Sequence, residues 1–220
     1  MRAGWKTGIG LLLVCTGALE AGELRGKVEV RTHVSSPEGN PGMAYGHGGM
    51  FEKPEPKPAF TEAQSVIIYV EGRDSVSHAP PQSHPQMVQR AKTFIPPVLP
   101  VLIGTTVDFP NEDKIYHNVF SYSKPKKFDL GRYPTGSSKS VMFDKPGLVK
   151  VFCEIHKDMV AYVLVLETPF FAVPNPAGDF DLPDLPVGQY RVHIWHPALP
   201  PQVQDVFVPK SGAVEVNFIL

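Results

Sequence analysis

Four side chains with metal-binding atoms fall in two short stretches of the sequence. Cys153, His156 and Met159 form a C-x-x-H-x-x-M motif, and His117 lies upstream in the stretch Ile115-Tyr-His-Asn. One thiolate, two imidazoles and one thioether are the donor set of a mononuclear copper site, in which the thioether is a weak axial ligand. The sequence therefore predicts one copper ion bound by these four side chains and exchanging single electrons.

Other chemistries for the same residues are less consistent with the full set. Zinc binds Cys and His, but a thioether is a poor fourth ligand for it. A c-type haem requires a second cysteine in a C-x-x-C-H motif, which the sequence lacks. A Cys153 nucleophile paired with His156 stays open, although the sequence offers no third residue to orient the histidine. A buried structural cysteine beside unrelated histidines also stays open. We predict no catalytic residues and expect that the protein is not an enzyme.

Several other soft or imidazole side chains lie outside this motif. Met43, His47 and Met50 occur close together in a stretch rich in Gly, Pro and charge, where they could bind Cu(I) or be ordinary loop residues. His193 and His196 are three positions apart on a predicted strand and so point to opposite faces. We interpret these two histidines as structural.

The elements that must position the motif are short strands. The chain has 24 prolines and 19 glycines among 220 residues, and no long helical period is visible. Seven apolar stretches bounded by turn residues predict an antiparallel sandwich or barrel in the middle of the chain. Cys153 then ends one strand and Met159 precedes the next, so the motif is a tight connecting loop. The predicted strands are 87–94, 98–103, 105–110, 115–121, 138–143, 148–153 and 160–166.

The N-terminus has the features of an export signal. Arg2 and Lys6 precede an apolar run from Ile9 to Ala18, and small residues follow it. The run is too short to cross a bilayer as a helix, which favours a cleaved signal peptide over residues 1–21. The mature protein is therefore expected in the periplasm or outside the cell.

Cysteine usage and charge agree with this location. Cys15 lies within the predicted signal, and Val14 before it is a poor match to a lipoprotein cleavage box. Cys153 would be the remaining thiol in an oxidising compartment, where a lone cysteine is either a hazard or a ligand. The net charge of −1 gives no support for nucleic-acid binding or for a polybasic membrane surface.

The stretch from about Met87 to Glu167 resembles a cupredoxin. The matching residues are Gly104–Asn111, His117–Asn118, Phe143–Gly147 and the Cys153 loop. The loop is most similar to that of short-loop members such as amicyanin, and related chains are described as plastocyanin-like or methylamine-utilisation proteins. The resemblance implies a Greek-key β-sandwich with a type 1, or blue, copper.

The resemblance also implies roles for individual residues. His117, Cys153, His156 and Met159 would bind the copper, and Asn118 would tie the ligand loops together through a hydrogen bond near the Cys153 sulfur. Electrons would pass through the edge of His156 to a redox protein, such as a cytochrome or a dehydrogenase. A carrier or storage role for copper is the alternative function.

The loop departs from the family pattern around its histidine. Amicyanin-type loops usually carry a proline there, whereas Glu154 precedes His156 and Lys157 and Asp158 follow it. The sequence therefore predicts a more polar loop, and a docking surface that differs from that of the family.

The flanking segments resemble a carboxypeptidase-regulatory-like, or transthyretin-like, β-sandwich. The matching residues are Gly26–Val30, Val66–Gly72 and Gly178–Tyr190. The resemblance implies a second β domain made of two halves, residues 22–85 and 168–220, with the copper domain inserted as residues 86–167. Two domains in tandem are the simpler alternative.

Overall fold

The computed structural model describes residues 21–31, 58–72 and 79–220. These ranges contain seventeen β-strands and one short 3-10 helix, Glu62–Ser65, so the predicted all-β fold is confirmed. In chain order the strands are β1 (Ala21–Glu29), β2 (Ile67–Gly72), β3 (Val88–Arg90), β4 (Thr93–Ile95), β5 (Val98–Leu102), β6 (Thr105–Pro110), β7 (His117–Ser121), β8 (Phe128–Tyr133), β9 (Ser138–Phe143), β10 (Gly147–Phe152), β11 (Val160–Leu166), β12 (Phe171–Ala172), β13 (Asp179–Pro186), β14 (Gly188–Trp195), β15 (Gln202–Val208), β16 (Ala213–Glu215) and β17 (Phe218–Ile219).

Some predicted features lie outside the described residues. They are the signal segment up to residue 20, Cys15, and the Met43, His47 and Met50 group. Within the described ranges, no helix is long and apolar enough to span a membrane.

The middle of the chain forms the first sandwich. One sheet has the strand order β5-β11-β10-β7-β8, and the other layer contains the β6-β9 and β3-β4 pairs. Strand β10 shows why the sheet has one buried face: Val149 and Val151 are fully buried, whereas Lys150 and Phe152 between and after them are not. Phe94, Phe109, Phe143 and their neighbours fill the core between the two layers.

The two ends of the chain form the second sandwich. Strand β1 pairs with β13, with Leu24 opposite Leu182, and β2 pairs with β14, with Val70 opposite Val192. One sheet therefore contains β13, β1, β16 and β17, and the other has the order β12-β2-β14-β15. The apolar side chains that face each other between the sheets form a separate core.

A third apolar cluster joins the two sandwiches. Tyr162 on β11 and Trp195 on β14 meet edge to face, with their ring centroids 5.5 Å apart. Burial of these faces removes apolar surface of both sheets from water, which stabilises the contact. The other members of the cluster are Ile67, Tyr69, Val98, Leu164, Leu166 and Phe171.

The strand predictions failed where a turn or polar residues interrupted the apolar alternation. The predicted strand 87–94 is a hairpin, because Ala91 and Lys92 turn the chain with φ values of 52° and 54°. Strand β8 was missed because Gly131 and Arg132 interrupt its apolar alternation between Leu130 and Tyr133. At the other end of the described chain, β16 and β17 are two short strands that both run beside β1.

Candidate metal centre

The four predicted ligands come from one loop and one neighbouring strand. Strands β10 and β11 pair up to Phe152 opposite Val160, so residues 153–159 form the connection between them. The Cys153 N–H donates to the Met159 carbonyl oxygen over 3.3 Å, and the Met159 N–H donates to that of His156 over 3.0 Å. These two bonds close the loop at its base. His117 opens β7, the next strand of the same sheet.

Three donor atoms converge on one point. The Cys153 Sγ lies 3.7 Å from His117 Nδ1 and 3.9 Å from His156 Nδ1, and the two Nδ1 atoms are 3.2 Å apart. Metal–nitrogen bonds of about 2.0 Å and metal–sulfur bonds of about 2.3 Å, at tetrahedral or trigonal angles, place donor atoms roughly 3.3–3.8 Å apart. The spacing therefore fits a shared metal ion. Among the described residues, this is the one such group of three His, Cys, Asp or Glu side chains.

The centre is buried on the protein side and open at one histidine. His117, Cys153 and Met159 are 0%, 4% and 1% exposed, whereas His156 is partly exposed. Met159, the last residue of the loop, belongs to the same core cluster as Cys153. A soft, nearly dry donor set of this kind suits copper better than a hard cation, which prefers oxygen ligands.

Asn118 makes the expected hydrogen bond to the Cys153 sulfur through its backbone N–H. The side-chain Nδ2 donates instead to Asp129 Oδ1 on β8, over 2.6 Å. The pairing of β7 with β8 shifts register between Asn118 and Phe120, and such irregularities redirect side chains. The side chain thus ties β7 to β8 and makes no bond to the loop of residues 153–159.

Asp113 is a site residue that the sequence analysis missed. The His117 Nε2 donates to Asp113 Oδ2 over 2.7 Å, on the ring edge opposite the sulfur. A carboxylate four positions before a histidine is common in loops and carries little information by itself. Only the folded chain shows that this one touches the ring of a candidate ligand.

The charges of the centre favour the metal-binding form of the thiol. Burial by itself would raise the pKa of Cys153, but hydrogen bonds from the rings of His117 and His156 and from two backbone N–H groups outweigh burial and lower this pKa to about 6. Burial likewise lowers the pKa of His117, but the Cys153 sulfur and the Asp113 carboxylate outweigh it, so this pKa is raised. A thiolate therefore forms below the ordinary pH range of a cysteine.

The chain resembles known proteins in structure, but no match was found at the level of sequence. No protein-family model matches the chain, and no curated protein matches it. Cupredoxins are among the solved structures that it resembles.

Three of these structures illustrate the likeness. A Cu-containing nitrite reductase from Thermus scotoductus SA-01 is 24% identical, with a TM-score of 0.38 over 44% of this chain and 25% of its own. A purple cupredoxin from Nitrosopumilus maritimus is 26% identical, with a TM-score of 0.35 over 37% of this chain and 99% of its own. A variant of amicyanin in its reduced Cu(I) form is 18% identical, with a TM-score of 0.37 over 45% of this chain and 98% of its own. The chain thus spans a quarter of the nitrite reductase and nearly all of the two cupredoxins.

The cysteine nucleophile considered above gains an orienting residue but lacks access. Asp113, His117 and Cys153 follow one another in contact, as in a triad of acid, base and nucleophile. The histidine in this series of contacts is His117, whereas the sequence analysis paired Cys153 with His156. The sulfur is 4% exposed and the His117 ring is fully buried, so no substrate carbonyl reaches the sulfur in this conformation. The arrangement therefore favours an ion over a substrate.

The remaining described histidines make contacts of a structural kind. His84 pairs with Asp108 on the surface over 3.0 Å, and His193 stacks on Tyr69 with ring centroids 4.8 Å apart. His196 lies 3.4 Å from Glu62. His193 also lies 3.2 Å from a carboxylate oxygen of Glu71.

We expect copper binding to weaken as the pH falls through the raised pKa of His117 and then through the Cys153 pKa of about 6. Binding requires a Cys153 thiolate and a His117 ring free of a proton at Nδ1, so the metal competes with protons for both groups. Affinity should rise with pH until His117 has lost its extra proton, at a pH above the ordinary value for histidine, and then level off. Competition titration against a chelator at several pH values measures this, and a constant affinity down to pH 5 would contradict the ligand assignment.

Proposed function

We propose that the chain holds one type 1 copper ion at His117, Cys153, His156 and Met159 and carries single electrons between redox proteins. The observation that supports this most directly is the convergence of one sulfur and two imidazole nitrogens within 4.8 Å of one another at a buried point. A copper ion bound there supplies a couple between Cu(I) and Cu(II).

The surrounding chain limits rearrangement during electron exchange. His117 begins β7, Cys153 directly follows the paired strand β10, and the loop of residues 153–159 is closed by its own hydrogen bonds. Ligands held by a rigid scaffold stay in place when the charge of the ion changes, which keeps the cost of electron transfer low. The buried thiolate accepts hydrogen bonds from the backbone N–H groups of Asn118 and His156, which stabilise its negative charge.

The partly exposed ligand gives the route to a partner. His156 is flanked by exposed residues, Glu154, Ile155, Lys157 and Asp158. We propose that a redox protein, such as a cytochrome or a dehydrogenase, docks over this loop and exchanges electrons through the His156 edge. Charged residues around the histidine favour a partner whose surface carries complementary charges.

The proposed domain organisation follows the strand pairing. The β1–β13 and β2–β14 pairs support a sandwich made of residues 22–85 and 168–220, with the copper domain, residues 86–167, inserted between them. We further propose that residues 1–21 are an export signal and that the protein acts in the periplasm or after secretion, as the charged and apolar pattern of that segment indicates.

A copper carrier or store is the second candidate function. The soft residues Met43, His47 and Met50 favour it, since thioethers and imidazoles bind Cu(I) and lie in the same chain as the buried centre. In that role copper is cargo, and it must leave the protein readily.

Addition of Cu(II) to the purified mature protein separates the two functions. Electron transfer requires one tightly held ion with an intense thiolate-to-copper absorption band and a reversible reduction. We expect this result, with one copper per chain by metal analysis. A weakly coloured protein that yields its copper to a chelator within minutes would support the carrier role, and a chain that takes up only zinc or no metal would overturn both.

A matched control addresses the Met43, His47 and Met50 group. Replacement of all three by alanine leaves the buried donors unchanged, so the absorption band and the single bound copper should persist. Loss of the band in this variant would show that the buried centre is not the chromophore.

A further inference from the structure

The structure assigns to Asp113 the role of a positioning residue for His117, and to the turn at Ala91 and Lys92 the role of holding Asp113 in place. Neither role follows from the donor set itself. The inference rests on the proposed copper site, but one of its tests requires no metal.

The contact between Asp113 and His117 fixes which ring nitrogen carries the proton. An ionised carboxylate only accepts hydrogen bonds, so the His117 Nε2 at 2.7 Å from Asp113 Oδ2 must be the donor. While the ring carries two protons, Nδ1 donates to the Cys153 sulfur; when the Nδ1 proton leaves, the contact with Asp113 favours keeping the other on Nε2, which leaves the lone pair on Nδ1. This is the tautomer that binds a metal through Nδ1. The carboxylate therefore selects the tautomer and the ring rotation together.

Burial strengthens this contact. The His117 side chain is fully buried, and the Asp113 side chain is 10% exposed. Water does not compete well for such a contact, and a carboxylate hydrogen bond is stronger where the surroundings are less polar. Asp113 also lies at the Nε2 edge of the ring, away from the point where the three donor atoms meet, so it acts through His117 and not as a ligand.

The carboxylate is itself held by two consecutive backbone N–H groups. Ala91 N–H donates to Asp113 Oδ1 over 2.6 Å, and Lys92 N–H donates to Oδ2 over 2.9 Å. A further bond runs from the Asp113 N–H to the Asn111 side chain over 3.0 Å. Both carboxylate oxygens are therefore fixed by the hairpin turn between β3 and β4, which belongs to the other layer of the sandwich.

The backbone of this turn is unusual for its residues. Ala91 and Lys92 have φ values of 52° and 54°, in the left-handed region where side chains with a Cβ are disfavoured. The conformation directs both N–H groups at the carboxylate. A strained backbone persists only where its surroundings require it, and it often marks a functional site. Contacts thus run from the turn at Ala91 and Lys92, in the layer that contains β3 and β4, through Asp113 to His117 at the metal centre.

Substitution of Asp113 tests this chain of contacts. Asp113→Ala removes both acceptor oxygens, and we expect the copper affinity to fall about 10-fold to 100-fold, as is typical for loss of a carboxylate behind a ligand histidine. Asp113→Asn keeps one acceptor oxygen for His117 but sets its amide N–H₂ against a turn N–H, so its affinity should be intermediate. The visible band and the electron paramagnetic resonance spectrum of the copper form should shift in the same order.

A readout in the metal-free protein separates positioning from general stability. At alkaline pH, where the ring is neutral, nitrogen-15 NMR should show a larger share of the Nε2–H tautomer of His117 in the natural protein and in Asp113→Asn than in Asp113→Ala, where the Cys153 sulfur is the remaining acceptor described at the ring. If Asp113→Ala does not fold, the affinity and spectrum of Asp113→Asn decide instead. This readout tests positioning even if the chain binds no copper.

Two control variants complete the design. Asp108→Asn removes the charge of the carboxylate that pairs with the surface residue His84. It should change neither the His117 tautomer nor the copper affinity. Replacement of both Ala91 and Lys92 by glycine keeps the two N–H donors in a conformation that glycine adopts freely, so the site should be unchanged. An unaltered tautomer in Asp113→Ala, with an affinity within about 2-fold of the natural protein, would overturn the proposal, because only losses near the 10-fold to 100-fold range indicate positioning.

Discussion

Replacement of Cys153 by serine should abolish the thiolate-to-copper absorption band while the chain stays folded. A serine hydroxyl does not ionise at neutral pH and forms no covalent thiolate bond to copper, so the intense band has no source. The side chain is close to isosteric, and the N–H groups of Asn118 and His156 that reach the sulfur can donate to the hydroxyl oxygen. We expect copper affinity to fall by more than about 100-fold, beyond the loss typical of a residue behind a ligand.

Visible absorption, metal content and thermal unfolding measure this result together. The matched control is His84→Ala, which removes a surface histidine that pairs with Asp108 and should leave the band unchanged. Survival of the band in Cys153→Ser would show that another residue provides the sulfur or that the assignment of the centre is wrong. Loss of the band together with loss of the folded state would leave the test to His117→Gln, which keeps the thiol.

Replacement of Gly26 by alanine should destabilise the second sandwich by about 3 kcal/mol, at the upper end of the range for overpacking. An added Cβ at this position would lie 1.7 Å from the Val216 carbonyl oxygen and 3.0 Å from Phe180 Cζ. The nearest atom belongs to the backbone, so β1 and the segment after β16 must separate to make room. Val216 N–H donates to the Arg25 carbonyl oxygen beside this point, and separation weakens that bond as well.

Denaturant unfolding of the metal-bound protein measures this effect, with Gly188→Ala as the control. Gly188 lies on β14 of the same sandwich, and its added Cβ meets only the Tyr190 ring at 3.7 Å, an ordinary contact. We expect that control within about 0.5 kcal/mol of the natural protein. If the inserted-domain organisation holds, Gly26→Ala should lower the unfolding transition of the outer sandwich and leave the copper absorption band in place below it. Equal stabilities for the two variants would contradict the close approach of β1 to Val216.

Much of the first sandwich was predictable because its strands carry their own pattern. Strand β10 alternates buried valines with outward residues, and β6, β9 and β11 have the predicted bounds. Period-two alternation is a local property, so it is visible without the fold. Strand β8 and the hairpin of β3 and β4 lack that local signal, because Gly131 and Arg132 interrupt the alternation in β8 and the hairpin turns at two residues that are not glycine.

The candidate site divides in the same way. The residue types at 117, 153, 156 and 159 identify a metal-binding donor set, because the affinity of thiolate, imidazole and thioether for soft metals is a property of the side chains themselves. The structure brings three of these side chains to one point and buries the fourth in the adjoining core. The resemblance implied a hydrogen bond between Asn118 and the Cys153 sulfur, but only the folded chain shows that the backbone N–H makes it while the side chain binds Asp129 on β8.

The sequence by itself determined the all-β class, the donor set and the loop that carries most of it, since each depends on residue type and near-neighbour spacing. Only the tertiary structure decided the contact of Asp113 with His117, the turn that holds Asp113, and the register that places Leu24 opposite Leu182. Those features join residues that are distant in sequence or come from different layers. Their geometry follows from strand register and core packing, which no local pattern encodes.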